Sequence, residues 1–229
     1  MIAKNLQHLN ETISAVARQC GRKREEIQVV AVSKRFSAEA IEAACNAGQI
    51  HFGENYVQEL AIKAPLSPQG ARFHFIGHLQ SNKAKTVVEL CDVVESVDRE
   101  KLGRILNKHC LALDKTLDVL VQVNIGADPN KSGIKKEEAA NLITTLNELS
   151  HIRVQGLMTI PPIHQSAEQN RAHFRELRRL RDALAEKGLF RDTDRPELSM
   201  GMSGDFQLAI EEGATIIRVG TAIFGPRPL

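Results

Sequence analysis

Eight short apolar runs, each followed by a stretch with helical periodicity, limit the possible folds of this chain more than any other feature. Apolar residues that recur every three or four positions predict helices, and short continuous apolar runs predict buried strands. Strands that alternate with helices favour a parallel sheet, and eight such units favour its closure into a (β/α)₈ barrel. The predicted strands cover residues 27–33, 51–53, 72–76, 92–96, 117–124, 154–159, 198–200 and 215–219.

An additional helix is predicted before the first strand. It covers residues 2–20 and carries Leu6, Leu9 and Ile13 at helical spacing. The other predicted helices cover residues 38–47, 56–64, 82–90, 99–113, 136–149, 167–187 and 206–212. We expect one domain over residues 1–229, because no linker or low-complexity run divides the chain and barrels often reach this length as one domain.

A doubly wound open sheet is the alternative fold for alternating strands and helices. Such sheets usually carry a glycine-rich turn after the first strand, where a dinucleotide binds. Here residues 33–37 read SKRFS and contain no glycine. A dinucleotide site is therefore not predicted.

The composition argues against several classes of partner. The net charge is +2 and aromatic residues make up 4% of the chain, which does not favour nucleic acid or a membrane surface. No apolar run approaches the roughly 18 residues of a membrane span, and residues 1–20 lack a signal-peptide pattern. The four cysteines show no C-x-x-C spacing, which is typical of thiols in a reducing compartment. We expect a cytoplasmic protein.

A lysine at the end of the first strand is the main candidate for chemistry. Lys34 follows a run of apolar residues, and the carboxyl ends of barrel strands form the functional face of such folds. An amine at the rim of an apolar core can lose its charge by desolvation and then form a Schiff base with an aldehyde. The sequence thus predicts a nucleophilic lysine at this rim.

Two late loops predict a phosphate site. Barrels often bind phosphate with the loops after strands seven and eight, which here contain Ser203, Gly204, Gly220 and Thr221. The glycines allow close approach of backbone N–H groups, and the hydroxyls add donors. The alternative is that these residues are ordinary turn and cap residues, with Ser203 as a helix N-cap.

Arg218 lies within the apolar eighth strand, where a charged side chain needs a partner. Two interpretations stay open: a structural ion pair, or a contact to the ring nitrogen of a cofactor, which a guanidinium would keep unprotonated.

His74 and His78 lie four residues apart on a strand and its exit loop, and no third ligand is near them in the sequence. A metal site is therefore not predicted.

Seven motifs, spread in order over nearly the whole chain, resemble those of the pyridoxal phosphate homeostasis protein family. They are AVSK at 31–34, FGENYVQE at 52–59, HFIGHLQSNK at 74–83, KSG at 131–133, GLM at 156–158, GMS at 201–203 and RVGTAIFG at 218–225. One departure is Gly204, which stands where the family commonly has an acidic residue.

The resemblance implies a fold-type III barrel similar to the N-terminal domain of alanine racemase. Lys34 would carry pyridoxal 5′-phosphate as an internal aldimine. By the family pattern, the other cofactor-binding residues are Ser203, Gly220 and Thr221 at the phosphate, Arg218 at the pyridine nitrogen, and Asn55, His78 and Met158 in the pocket wall.

The expected function is to bind, buffer or deliver pyridoxal phosphate without robust turnover. Racemases of this fold use a tyrosine from a second domain as a further base, whereas this sequence stops after strand eight and its one tyrosine, Tyr56, follows strand two. We expect a monomer whose partners are the cofactor and apo-enzymes that use it. An amino-acid racemase is the alternative. A Schiff-base aldolase is disfavoured because strand six contains no lysine.

Overall fold

Eight parallel strands form a closed barrel in chain order in this computed structural model, which describes residues 1–162 and 165–226. The strands are β1 (Gln28–Val32), β2 (His51–Glu54), β3 (Arg72–Phe75), β4 (Val93–Val97), β5 (Leu117–Gln122), β6 (Ile152–Met158), β7 (Glu197–Ser199) and β8 (Ile216–Val219). The predicted (β/α)₈ barrel is confirmed, and the doubly wound sheet is excluded because β1 pairs with both β2 and β8. Each predicted strand is present with its ends shifted by one or two residues at most.

Helices surround the barrel and alternate with its strands. They are α1 (Ile2–Gln19), α2 (Ala38–Asn46), α3 (Val57–Lys63), α4 (Ala84–Leu90), α5 (Glu100–Ala112), α6 (Ala139–Leu146), α7 (Ala167–Glu186), α8 (Phe206–Glu211) and α9 (Thr221–Phe224). The predicted helices 82–90 and 136–149 each begin with a 3₁₀ turn, so α4 starts at Ala84 and α6 at Ala139; α6 also ends earlier than predicted, at Leu146. None of the helices within residues 1–162 and 165–226 has the length and apolarity needed to cross a membrane.

The predicted N-terminal helix α1 completes the outer ring. It contacts α2 on one side and α8 on the other, which is where the helix after β8 would lie in a regular barrel. That following helix, α9, has only four residues and was not predicted, because so short a segment shows no periodicity. Leu6, Leu9 and Ile13 are buried on the inner face of α1. The Asn5 amide donates to the Ile223 carbonyl at 2.8 Å and joins α1 to α9.

The apolar core has a large outer layer and a small inner cluster. The outer layer lies between strands and helices and includes the free thiols Cys91 and Cys110, which are buried there. The inner cluster consists of Val30, Leu120, Met158 and Ile216, with Ile160 packed against it. Because the inner cluster is small, the rest of the barrel interior accommodates polar side chains, which are described below.

Candidate functional site

A cavity of about 220 Å³ lies at the carboxyl ends of the strands. It brings together residues that are far apart in the sequence, as expected for the functional face of a barrel. Six of the eight residues predicted for cofactor binding line it: Lys34, Asn55, Ser203, Arg218, Gly220 and Thr221. The remaining lining residues are Val32, Ile76, Ile160, Met202 and Gly204.

Lys34 lies in a tight turn that follows β1. The Ser33 N–H still bonds to the Gly53 carbonyl of β2 at 3.0 Å, so the sheet extends to the residue before Lys34. The Phe36 N–H then bonds back to the Ser33 carbonyl at 3.0 Å and closes the turn. Arg35, inside this turn, has a φ of +66°, which is uncommon for a residue with a side chain. The half-buried Lys34 side chain therefore reaches the cavity from a sharply bent segment.

The loops after β7 and β8 also line the cavity and contact each other. The Gly220 N–H donates to the Ser203 hydroxyl at 3.3 Å and joins the two loops. In the described part of the chain, the backbone N–H groups of Ser203, Gly204 and Thr221 have no hydrogen-bond partner. These groups, together with two hydroxyls, form a set of donors suited to an anion.

The loop after β7 is shaped by a glycine and an aspartate. Gly201 has a φ of +92°, and a Cβ there would lie 2.5 Å from the Ala209 Cβ, so only glycine fits. Asp205 accepts from the Met202 N–H at 2.6 Å and is the N-cap residue of α8. The alternative that Ser203 caps this helix is therefore wrong, and the Ser203 hydroxyl lines the cavity instead.

Arg218 lines the cavity and is also paired inside the barrel. Its guanidinium donates to the Ser199 hydroxyl at 2.5 Å and to the Thr159 carbonyl at 2.7 Å. Its Nη1 lies 3.8 Å from Oε2 of Glu95 on β4, across the barrel. Burial lowers the pKa of Arg218 from its ordinary value, and the negative charge of Glu95 opposes this shift. The interpretation of Arg218 as part of a structural ion pair is thus correct, because its guanidinium pairs with Glu95. The same side chain also lines the cavity.

A chain of hydrogen bonds continues from Arg218 through the barrel interior. Glu95 accepts from the Ser199 hydroxyl at 2.5 Å and bonds to His74 Nδ1 at 2.7 Å. His74 Nε2 lies 3.1 Å from His51 Nδ1 near the amino ends of the strands. Burial favours a raised pKa for Glu95, but the bond and charge of His74, with Arg218, hold the pKa below its usual value.

Two predicted residues lie outside the cavity. His78 is 53% exposed, bonds to the Ser132 hydroxyl at 3.2 Å and lines a neighbouring cavity of about 190 Å³ that shares Asn55. Met158 is fully buried in the inner cluster against Val30 and does not line the cavity. The roles given to these two side chains stay predictions.

His74 has a structural partner rather than a metal-binding arrangement. Its ring is buried and bonded to Glu95, whereas the His78 side chain lies at the surface and bonds to Ser132. In residues 1–162 and 165–226, no three side chains of His, Cys, Asp or Glu are placed to hold a metal ion.

Glu95 and Ser199 are site residues that the sequence reasoning missed. Both lie in strands that were predicted, and neither was singled out. The signal for Glu95 was the one used for Arg218, a charged residue inside an apolar strand. Pairing these two opposite charges would have predicted their contact.

Comparisons with known proteins agree with this geometry. Residues 5–228 match the family model described as alanine racemase, N-terminal domain. The pyridoxal phosphate homeostasis protein of Vibrio cholerae is 43% identical to the chain, and the alignment covers 99% of the chain and 96% of that protein. The pyridoxal phosphate homeostasis protein of Escherichia coli K12 is also 43% identical, and the alignment covers 99% of the chain and 97% of that protein. A structure of PipY from Synechococcus elongatus with pyridoxal phosphate bound has a TM-score of 0.86 and 35% identity, and the match covers 98% of this chain and 100% of PipY.

The barrel and its rim define the chain as an alanine-racemase-like (β/α)₈ protein. Within that class, it belongs to the family of pyridoxal phosphate homeostasis proteins. The resemblance predicted from the sequence motifs is confirmed.

The half-buried His51 predicts how stability depends on pH. Burial, and then the charge of His74, lower the pKa of His51 from 6.5 to about 4. Between these values the unfolded chain binds a proton that the folded protein does not, so the free energy of unfolding falls as the pH is lowered from about 6.5 towards 4. We expect the variant His51→Gln to lose less stability over this window, as measured by urea unfolding at several pH values. The exposed His8→Gln on α1 is the control, and equal pH dependence in all three proteins would contradict the expectation.

Proposed function

We propose that the protein binds pyridoxal 5′-phosphate in the Lys34 cavity and acts in its homeostasis by holding, buffering or delivering it. One observation carries the proposal: a primary amine and two donor-rich loops line the same cavity of about 220 Å³. An aldehyde with a phosphate group needs both kinds of partner. The names of the relatives, and the pyridoxal phosphate bound in the PipY structure, support this assignment.

The loops after β7 and β8 would hold the phosphate group. Ser203 and Thr221 offer hydroxyls. The N–H groups of Ser203, Gly204 and Thr221, which have no partner among the described residues, offer further donors. Glycine suits position 220 because the loop backbone packs closely against β1 there. A Cβ at this position would lie 3.2 Å from the Val32 carbonyl oxygen. Backbone donors of this kind bind phosphate without adding charge to the site.

Arg218 and Asn55 are suited to contact the pyridine ring of the cofactor. A buried guanidinium beside a pyridine nitrogen keeps that nitrogen unprotonated and so weakens the ring as an electron sink. The Oδ1 atom of Asn55 is buried without a hydrogen-bond partner among the described residues, although it lines the cavity. A buried acceptor of this kind is costly unless a ligand donor reaches it.

Lys34 would attach the cofactor covalently as an internal aldimine. The neutral amine nitrogen bonds to the aldehyde carbon, and the carbonyl oxygen leaves as water with the two amine protons. We place the attachment at Lys34 because its side chain is the one primary amine among the described residues that line the cavity.

The lining of the cavity favours storage over turnover. Besides Lys34, Arg218 is the one ionisable side chain among the described lining residues, and a guanidinium does not accept protons at neutral pH. Racemisation needs a second group to move a proton, and such a group contributes roughly 10²–10⁴-fold in rate. Apo-enzymes as acceptors, a monomeric state and a cytoplasmic location stay predictions.

The variant Lys34→Ala tests the covalent site. We expect the purified protein to show an aldimine absorbance band with pyridoxal phosphate, and we expect this variant to lose it, because the attacking amine is gone. Lys83→Ala is the matched control, since Lys83 lines the neighbouring cavity, and should keep the band. An unchanged band in Lys34→Ala would place the attachment on another lysine.

The variant Ser203→Ala tests the phosphate site. A hydrogen bond to a charged group contributes about 1.5–3 kcal/mol, so we expect the dissociation constant for pyridoxal phosphate to rise about 10- to 150-fold. Pyridoxal, which lacks the phosphate group, should bind both proteins alike in the same titration. An equal loss for both ligands would show that Ser203 does not contact the phosphate.

Exchange of the α-proton of amino acids tests the racemase alternative, which the alanine racemase family model motivates. We expect exchange in deuterium oxide, followed by proton resonance spectroscopy, to stay near the rate of free pyridoxal phosphate. Robust exchange that disappears in Lys34→Ala would favour the racemase.

A further inference from the structure

A buried lysine lies directly behind the turn that carries Lys34. Lys63 is the last residue of α3 and is 6% exposed. Its ammonium group donates to the Ser33 carbonyl at 2.8 Å, to Glu54 Oε1 at 2.8 Å and to Glu59 Oε2 at 2.6 Å. The three donors of the ammonium group are therefore all used.

These contacts hold the backbone on both sides of Lys34. The Ser33 carbonyl, which bonds to Lys63, immediately precedes Lys34 in the chain. The Arg35 N–H, which immediately follows, donates to Glu59 Oε2 at 2.7 Å, and this is the same oxygen that Lys63 contacts. Lys63 thus joins the two peptide groups that flank Lys34 through one ionic cluster.

The turn at Lys34 needs such support. A residue with a side chain in the left-handed region costs about 1–3 kcal/mol and persists only where its surroundings hold it there. Arg35 has this conformation, with a φ of +66°, and its side chain is exposed. The hydrogen bond from its N–H to Glu59 is therefore a principal contact that keeps the bend in place.

Packing alone does not explain the ionic cluster. It lies in the layer between the barrel and α3, where the neighbouring Phe52 and Leu60 are buried apolar residues. A buried ion pair is often no more stabilising than apolar residues of similar volume. Glu54 Oε1 accepts from both Lys63 and the Ser33 hydroxyl, but Oε2 is buried without a partner in the described chain. An arrangement with this cost indicates a task other than stability.

We propose that Lys63, with Glu54 and Glu59, is a positioning residue that aims the Lys34 amine at the bound aldehyde. This inference rests on the proposed function, because it assigns a role in covalent attachment at the same site. Lys63 does not line the cavity and acts through the backbone of the turn. Misplacement of a reacting group by about 1 Å can slow a reaction about 100-fold, so loss of this support acts on bond formation more than on binding.

The variant Lys63→Met tests the proposal with two ligands. Pyridoxal phosphate reports Schiff-base formation by stopped-flow absorbance, and pyridoxine 5′-phosphate reports binding alone, because its alcohol cannot form the bond. We expect Lys63→Met to form the Schiff base about 10- to 100-fold more slowly, with little change in affinity for pyridoxine 5′-phosphate. Lys85→Met, at an exposed lysine of α4, is the control and should match the original protein.

A second variant covers the case in which Lys63→Met folds poorly. Lys63→Met combined with Glu54→Gln removes the buried carboxylate that the first change leaves unpaired, and should show the same slow bond formation in a stable protein. A parallel loss for both ligands would mean a merely structural role and would overturn the proposal, as would unchanged rates. If the original protein forms no Lys34-dependent band at all, the proposed attachment at Lys34 itself fails.

Discussion

The hydrogen bonds between β1 and β8 are the constraint on which the rest of the site depends. They pair residues 28–31 with residues 216–219 and close the barrel. Closure brings the turn of Lys34 beside the loop of Gly220, although these segments lie near opposite ends of the sequence. The close approach of Gly220 to the Val32 carbonyl is a direct result of this pairing. An amine and a set of anion-binding donors therefore face one cavity because the first and last strands are neighbours.

Two buried charge clusters support residues that line that cavity. Inside the barrel, Glu95 and Ser199 hold the guanidinium of Arg218. Outside the barrel, Lys63 and its two carboxylates hold the turn at Lys34. Burying charge is costly, and each cluster offsets part of that cost with hydrogen bonds. Support of this kind suits the proposed binding of a reactive aldehyde, because binding then requires little rearrangement.

Much of the fold and part of the site follow from the sequence. The alternation of apolar runs and amphipathic segments predicted all eight strands, and the position of residues at strand ends predicted Lys34 and Ser203. Periodicity could not reveal α9, which has only four residues. It also could not show that His78 turns towards Ser132, because loop side chains have no regular direction. Lys63 was missed because a lysine at the end of a helix is usually solvated, and its burial depends on how α3 packs on the barrel.

The most direct test of the central claim is to ask whether pyridoxal phosphate becomes attached to Lys34. Borohydride reduces the C=N bond between lysine and aldehyde to a stable amine, so the modified peptide can be identified by mass spectrometry after digestion. The account predicts a pyridoxyl group on Lys34 in stoichiometric amount. Modification at Lys83, Lys131 or another lysine, with Lys34 unmodified, would contradict it.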